Sequence, residues 1–269
     1  MKKAIVTARI ASMYAQGNAL AERVDEALCG MVVEVLEEGA AFCRIRTPYG
    51  YEGYTGIHDI WVDEKQIALW QDIKRSVIRH ASVDILAAPK VQAVRLQRLT
   101  TGCAVVCLKA EDDGWTQVML ADGREGFLRT AHVGRPIPKR LHEDEDAFRH
   151  AVLETALSYM GAQYRWGGKT PEGVDCSGLC SMAYLLNGVT ICRDARIDEA
   201  FPVRGIASEA AKPGDLLYFP GHIAMSIGGG RFVHATAAGD GVCINSLDAN
   251  SGDARMDLAG TIITAGSIF

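Results

Sequence analysis

An aspartate, a cysteine and a serine stand together in Asp175-Cys176-Ser177-Gly178-Leu179, just after the glycine-rich stretch Tyr164-Arg165-Trp166-Gly167-Gly168. A cysteine delivered by such a turn to the first turn of a helix lies where unpaired backbone N–H groups and the positive end of the helix dipole converge. With Asp175 as the N-cap, that position favours thiolate over thiol and makes Cys176 a candidate nucleophile. Two histidines follow. His222 opens Gly221-His222-Ile223-Ala224-Met225-Ser226-Ile227, and His234 lies in Arg231-Phe232-Val233-His234-Ala235-Thr236. A nucleophile, a base and a second polar group that orients the base form the constellation of a cysteine hydrolase.

Taken singly, each of these residues has a blander reading. A lone cysteine is more often a small core residue. Cys29, Cys43, Cys103, Cys107, Cys192 and Cys243 mostly sit in apolar or strand-like runs, and Cys180 falls one turn behind Cys176 on the same helix. The order and spacing of Cys176, His222 and His234 set them apart. A zinc site from Cys176, Cys180, His222 and His234 lacks the close ligand pairing such sites use, so neither a metal nor another cofactor is expected.

The elements that must position these residues are legible locally. Leu179, Met182, Ala183 and Leu186 make one apolar helical stripe, ended by Asn187-Gly188. Gly214-Asp215-Leu216-Leu217-Tyr218-Phe219 and the two histidine runs read as neighbouring antiparallel strands. The Gly228-Gly229-Gly230 turn lets a hairpin bring the two imidazoles together. Upstream, Glu143 to Met160 reads as a helix with acidic residues leading it and an apolar face of Phe148, Val152, Ala156 and Tyr159. Its acidic start is the kind the helix dipole favours and has no calcium-loop spacing.

The set Tyr164-x-Trp-Gly-Gly, Asp175-Cys176-Ser177-Gly178-Leu179, Gly214-Asp215-Leu216, Gly221-His222-Ile223 and His234-Ala235 resembles the NlpC-type (NlpC/p-sixty) cell-wall cysteine peptidases over roughly the last half of the chain. The resemblance implies a papain-like α+β domain with helices packed on an antiparallel sheet. It makes Cys176 the nucleophile and His222 the general base, with His234 as the third polar residue. The Tyr164 hydroxyl would help stabilise the oxyanion.

Ahead of that half, the chain repeats itself. Val32-Val33-Glu34-Val35-Leu36, Phe42-Cys43-Arg44-Ile45-Arg46 and Tyr49-Gly50-Tyr51-Glu52-Gly53-Tyr54 return in order. The second copy is Val105-Val106-Cys107-Leu108, Trp115-Thr116-Gln117-Val118 and Asp122-Gly123-Arg124-Glu125-Gly126-Phe127. Phe42 and Trp115, Gly50 and Gly123, and Gly53 and Gly126 share one offset, an internal repeat of a small β unit. Between the copies Asp63 to Trp70 is mixed and could form a short helix, and Gly134-Arg135-Pro136-Ile137-Pro138 is a linker. A Gly-x-x-Gly-aromatic ending after a hairpin resembles bacterial SH3-like modules, although Tyr54 and Phe127 stand where a tryptophan is more typical. The expected organisation is therefore two small all-β SH3-like barrels at 1–78 and 79–137 and a peptidase domain at 138–269.

The whole-chain numbers limit the function classes. With 269 residues, 48% hydrophobic, the chain has room for two or three small domains and is not disordered throughout. A net charge of −5 without a long basic stripe argues against nucleic acid, and no apolar run reaches membrane-spanning length. Arg9 interrupts the apolar run after Met1-Lys2-Lys3, so no export signal is read there. The expected address is the cytoplasm, with all eight cysteines as free thiols.

Two SH3-like modules, an NlpC-type domain and no export signal together resemble the γ-D-glutamyl-L-diamino-acid endopeptidases of murein-peptide recycling. The implied substrate is a free murein tri- or tetrapeptide with an unblocked N-terminal L-Ala. Its ammonium would meet Asp175 and Ser177, together with an acid and a tyrosine of the first module. Glu22 and Tyr51 are the best matches for that pair, with Glu26 and Tyr54 as competitors. The expected mechanism starts from a thiolate–imidazolium pair of Cys176 and His222. A related amidase on the same scaffold, or an inactive wall-peptide-binding protein, are the rival readings, and oligomeric state is not legible.

Overall fold

The structure, a computed structural model, describes residues 2–110 and 113–269; Met1 and Glu111–Asp112 lie outside the described residues. The chain separates into two compact units, Met1–Pro136 and Ile137–Phe269.

The first unit opens with Lys2–Val6 (β1), Ile10–Tyr14 (β2), Arg23–Leu28 (β3), Val32–Glu37 (β4), Phe42–Arg46 (β5), Glu52–Gly56 (β6) and Ile60–Trp61 (β7). They form one antiparallel sheet in the order β3-β2-β6-β5-β4-β1-β7. Alternate residues of these strands, among them Ala4, Val6, Ala11, Met13, Val33, Cys43 and Ile45, make its core, as the two-residue period of a strand requires. Helix α1 (Glu64–Asp72) follows, capped by Asp63, whose carboxylate accepts from the Gln66 amide at 2.8 Å. Its buried Trp70 donates from Nε1 to the Gly30 carbonyl at 2.8 Å.

Ser76–Val77 (β8), Val83–Leu86 (β9), Arg95–Leu99 (β10), Ala104–Ala110 (β11), Trp115–Met119 (β12) and Glu125–Arg129 (β13) form the second sheet, ordered β10-β9-β13-β12-β11-β8. Here the sequence repeat becomes a structural one. Ile45 pairs with Gly53 in β5–β6, and Val118 pairs with Gly126 in β12–β13. Gly50 and Gly123 both adopt φ +81°, the left-handed turn that favours glycine. A Cβ on Gly126 would stand 2.6 Å from Ile85 Cγ2 and 2.9 Å from the Leu86 carbonyl, so close strand crossing keeps this position glycine.

The second unit contains α2 (Glu145–Leu157), a short hairpin of Lys169–Thr170 (β14) and Gly173–Val174 (β15), and α3 (Cys176–Leu185). After them come Arg204–Ile206 (β16), Leu216–Phe219 (β17), His222–Gly228 (β18), Arg231–Thr236 (β19), Gly241–Ser246 (β20) and Thr264–Ser267 (β21). These six strands make one sheet ordered β16-β21-β17-β18-β19-β20. Arg149 of α2 is held by the Asp215 carboxylate at 2.9 Å and by the Pro213 carbonyl at 2.9 Å, which ties the helix to the entry of β17.

This architecture corrects the expected one. The chain is mostly sheet, and its three described α-helices run no longer than 13 residues, so it is not the helix-packed papain-like α+β domain anticipated. Nor are there two SH3-like barrels, because among the described residues no sheet closes. Closing the first would require its edge strands β3 and β7 to pair. The edge strand β3 pairs with β2 and the two-residue β7 with β1, and among the described residues the two edges do not pair with each other.

Candidate active site

Asp175 caps α3 as read from sequence: its Oδ1 accepts from the Gly178 amide at 2.6 Å, and Cys176 is the first helical residue. The glycine turn is locked to this helix start. Gly167 donates its amide to Asp175 Oδ2 at 2.8 Å, and a Cβ on Gly178 would lie 2.1 Å from the Gly168 carbonyl. Only glycine lets the two backbones approach this closely.

The cap has a partner that sequence reading missed. Arg193 spans the Asp175 carboxylate with both terminal nitrogens, at 3.0 Å to Oδ1 and 2.9 Å to Oδ2, and donates to Ser177 Oγ at 2.8 Å. The side chains of Arg193 and Asp175 are 3% and 9% exposed, so this is a buried bidentate ion pair. The carboxylate and hydroxyl expected to meet a substrate ammonium are thus engaged by a guanidinium. Arg193 lies in a coil segment, Ile191-Cys192-Arg193-Asp194, and an arginine in a loop carries no local signal of burial.

Helix α3 lies against β18 and β19. Met225 pairs with Val233 and Ser226 with Phe232. Continued along the strands, that register sets His234 opposite Ala224 and makes His222 its diagonal neighbour on the same face. The rings meet: His222 Nε2 lies 2.8 Å from His234 Nδ1. His234 is fully buried, and its Nε2 lies 2.9 Å from Asn245 Oδ1 on β20. The Cys176 sulfur accepts from the Ile223 amide, so it sits against the residue that follows His222.

The electrostatics differ from the sequence expectation. Burial pushes the Cys176 thiol up and the Asp175 charge adds to this; the Ile223 and Ser177 amides and Arg193 pull the other way without winning. Burial, then the neighbouring His234 and Arg255, bring His222 down to about 4, and burial brings His234 down to about 4 as well. The resting pair is therefore a thiol and a neutral imidazole rather than a preformed thiolate–imidazolium pair. Tyr164, half-buried, is pushed up to about 12 by burial and by Cys176 and Asp175, and so keeps its hydroxyl proton. The dipole argument failed because it counted the helix end and not the cost of burying an anion.

Glu22 and Tyr51 belong to the first unit. Glu22 is exposed just before β3, and Tyr51 is half-buried in the turn before β6, its amide donating to Thr47 Oγ1 at 3.0 Å. Of their competitors, Glu26 is buried on β3 with Arg23 3.7 Å away, and Tyr54 donates to Glu37 at 3.2 Å. All eight cysteines are free thiols; Cys29, Cys43, Cys103 and Cys180 are buried as small residues in the cores of their own units, and Cys176 is buried as well.

Known proteins give this arrangement a context. Residues 161–259, which hold Cys176, both histidines and Asn245, match the NlpC/P60 family. A dipeptidyl-peptidase 6 of Lysinibacillus sphaericus is 44% identical over 270 residues, covering 99% of each chain. A gamma-D-glutamyl-L-lysine dipeptidyl-peptidase of Bacillus subtilis is 30% identical over 53% of this chain and 48% of its own length. The crystal structure of an NlpC/P60 family protein from Bacillus cereus superposes with a TM-score of 0.80 over 98% of both chains at 19% identity, a likeness of fold. Matched along its whole length by one relative and over its cysteine–histidine region by the family itself, this chain belongs to the NlpC/P60 family of peptidases.

Proposed function

We propose that the protein is a cysteine peptidase that hydrolyses the γ-D-glutamyl–L-diamino-acid bond of free murein tri- or tetrapeptides carrying an unblocked N-terminal L-Ala. The observation that carries this reading is the convergence of three groups: Cys176 at the start of α3 takes the Ile223 amide, Ile223 directly follows His222 on β18, and His234 Nδ1 lies 2.8 Å from His222 Nε2. The relatives' names support the bond. A dipeptidyl-peptidase releases the first two residues of a chain, and L-Ala-D-Glu is the dipeptide ahead of this bond.

Because the resting pair is neutral, the thiol proton moves to His222 as the sulfur attacks the γ-carbonyl carbon of D-Glu. Nε2 of His222 is engaged with His234, which leaves Nδ1 as the basic nitrogen. The developing oxyanion meets the backbone N–H of Cys176 at the start of α3 and the neutral Tyr164 hydroxyl, the Gly178 amide being taken by the Asp175 cap. Collapse of the tetrahedral intermediate breaks the C–N bond, and His222 returns its proton to the leaving amine. Water then adds to the thioester, giving a proton to His222, and departure of the sulfur restores the thiol. The chemistry calls on no cofactor.

Mass spectrometry of the products from L-Ala-γ-D-Glu-diaminopimelate and from L-Ala-γ-D-Glu-L-Lys, each beside its N-acetylated form, tests the reading. Release of the diamino acid from the free-amine peptides alone, abolished by Cys176→Ala, is the expected result. Equal cleavage of the acetylated forms would remove the free-amine requirement, and turnover by Cys176→Ala would remove the nucleophile.

A further inference from the structure

The histidine pair does not end at His234. Asn245 Oδ1 lies 2.9 Å from His234 Nε2, and Asn245 Nδ2 lies 2.9 Å from the backbone carbonyl of Asp253. We propose that Asn245, oriented by the Asp253 carbonyl, is a positioning residue that sets the tautomers of both histidines and thereby selects Nδ1 of His222 as the basic nitrogen.

The argument is one of donors and acceptors. A backbone carbonyl only accepts, so the Asn245 atom facing Asp253 must be the NH2 group, and the atom facing His234 must be the oxygen. With the amide so oriented, the Cys243 thiol also donates to that oxygen at 3.3 Å. An amide oxygen only accepts, so His234 carries its proton on Nε2. A neutral imidazole with Nε2–H has a bare Nδ1, and that nitrogen faces His222 Nε2 at 2.8 Å. The contact requires a donor, so His222 also carries its proton on Nε2 and presents a bare Nδ1. Every step is fixed by the one before it, and the chain starts from a main-chain atom that has no second tautomer.

The Asp253 end is held in place. Its carboxylate accepts from Arg231 at 2.5 Å and from Ser251 at 2.5 Å, and its carbonyl also accepts from the Ser246 amide at 3.2 Å. The charges of Arg255 and Asp257 act on both histidines in opposite directions, and the Cys176 sulfur takes the Ile223 amide. None of these groups accepts from His234 Nε2, so Asn245 is the group that holds that proton.

The consequence for catalysis rests on the peptidase reading above, but the tautomers themselves can be read without substrate. Long-range proton–nitrogen correlation spectra of the nitrogen-15-labelled full chain at neutral pH should show both Nε2 atoms protonated and both Nδ1 atoms bare. A protonated Nδ1 on either ring in the wild type overturns the proposal. Asn245→Leu removes the acceptor and should yield mixed tautomers and a fall of at least about tenfold in kcat/KM, as loss of such supporting partners does elsewhere. Unchanged tautomers in a folded Asn245→Leu protein would also overturn it. Should that variant not fold, Asn245→Asp keeps an acceptor facing His234. It should preserve both Nε2–H protons while moving the titration of His234 upward, and a switch of tautomer there would count against us. Absence of turnover with correct wild-type tautomers would instead sink the peptidase reading and leave this inference standing.

Discussion

Replacing Arg193 by methionine should destabilise the second unit and slow the thiol, and the size of the first effect follows from burial. The substitution leaves the Asp175 carboxylate, 9% exposed, with only the Gly167 and Gly178 amides and Ser177 Oγ, having lost two charge-assisted contacts at 3.0 and 2.9 Å. Orphaning one partner of a buried pair typically costs about 3–5 kcal/mol. At ~2–4 °C per kcal/mol for a chain of this size, the melting temperature should fall by roughly 6–20 °C. Asp175→Asn keeps an N-cap oxygen but strands the guanidinium, so it should cost a similar amount. The double variant should be more stable than the sum of the singles, with a coupling above about 2 kcal/mol in a thermal or denaturant cycle. The thiol gives a second readout. Arg193 lowers and Asp175 raises the Cys176 pKa, so iodoacetamide at fixed pH should react more slowly with Arg193→Met and faster with Asp175→Asn. A coupling near zero, or both single variants moving the alkylation rate the same way, would refute the view that this ion pair balances the charge beside the thiol.

His222 is held near 4, so the acid limb of kcat/KM should fall well below the ordinary histidine value of about 6.5, read from a pH–rate profile; a limb at 6.5 would show that this ring is not the buried base. The same depression is linked to stability. The folded pKa values of His222 and His234 lie below the unfolded one, so the unfolded chain binds more protons, and stability present above about pH 6.5 should be lost as pH falls towards 4. Tyr164→Phe removes a neutral donor and should lower kcat by about 10²-fold with little change in KM, whereas an equal rise in KM would assign the hydroxyl to ground-state binding. Gly126→Ala should cost about 1–3 kcal/mol in denaturant unfolding, since its Cβ would press on a backbone oxygen at 2.9 Å. Gly53→Ala, with Met13 Cβ at 3.1 Å and the Tyr14 carbonyl at 3.2 Å, should cost less, and the reverse order would overturn the packing account.

What the sequence determined by itself was whatever neighbours along the chain decide. Asp175 caps Cys176 because a carboxylate three residues ahead of an orphan amide reaches it without help from the rest of the fold. Gly50 and Gly123, and the paired strands around them, repeat because turn geometry is a property of a few consecutive residues. Helices α2 and α3 and the hairpin of β18 and β19 were legible for the same reason. Tertiary structure decided the rest. Whether a set of hairpins closes into barrels depends on strand edges meeting, and here β3 and β7 stay apart in an open sheet. Arg193 and Asn245 reach the site from a coil and from another strand, and no periodicity marks a polar residue whose partner is remote in sequence. The state of Cys176 was reversed for a related reason. A helix dipole can be read from a cap and a helix, whereas the desolvation that opposes it is set by everything packed around the sulfur, and at this site the packing is the stronger of the two.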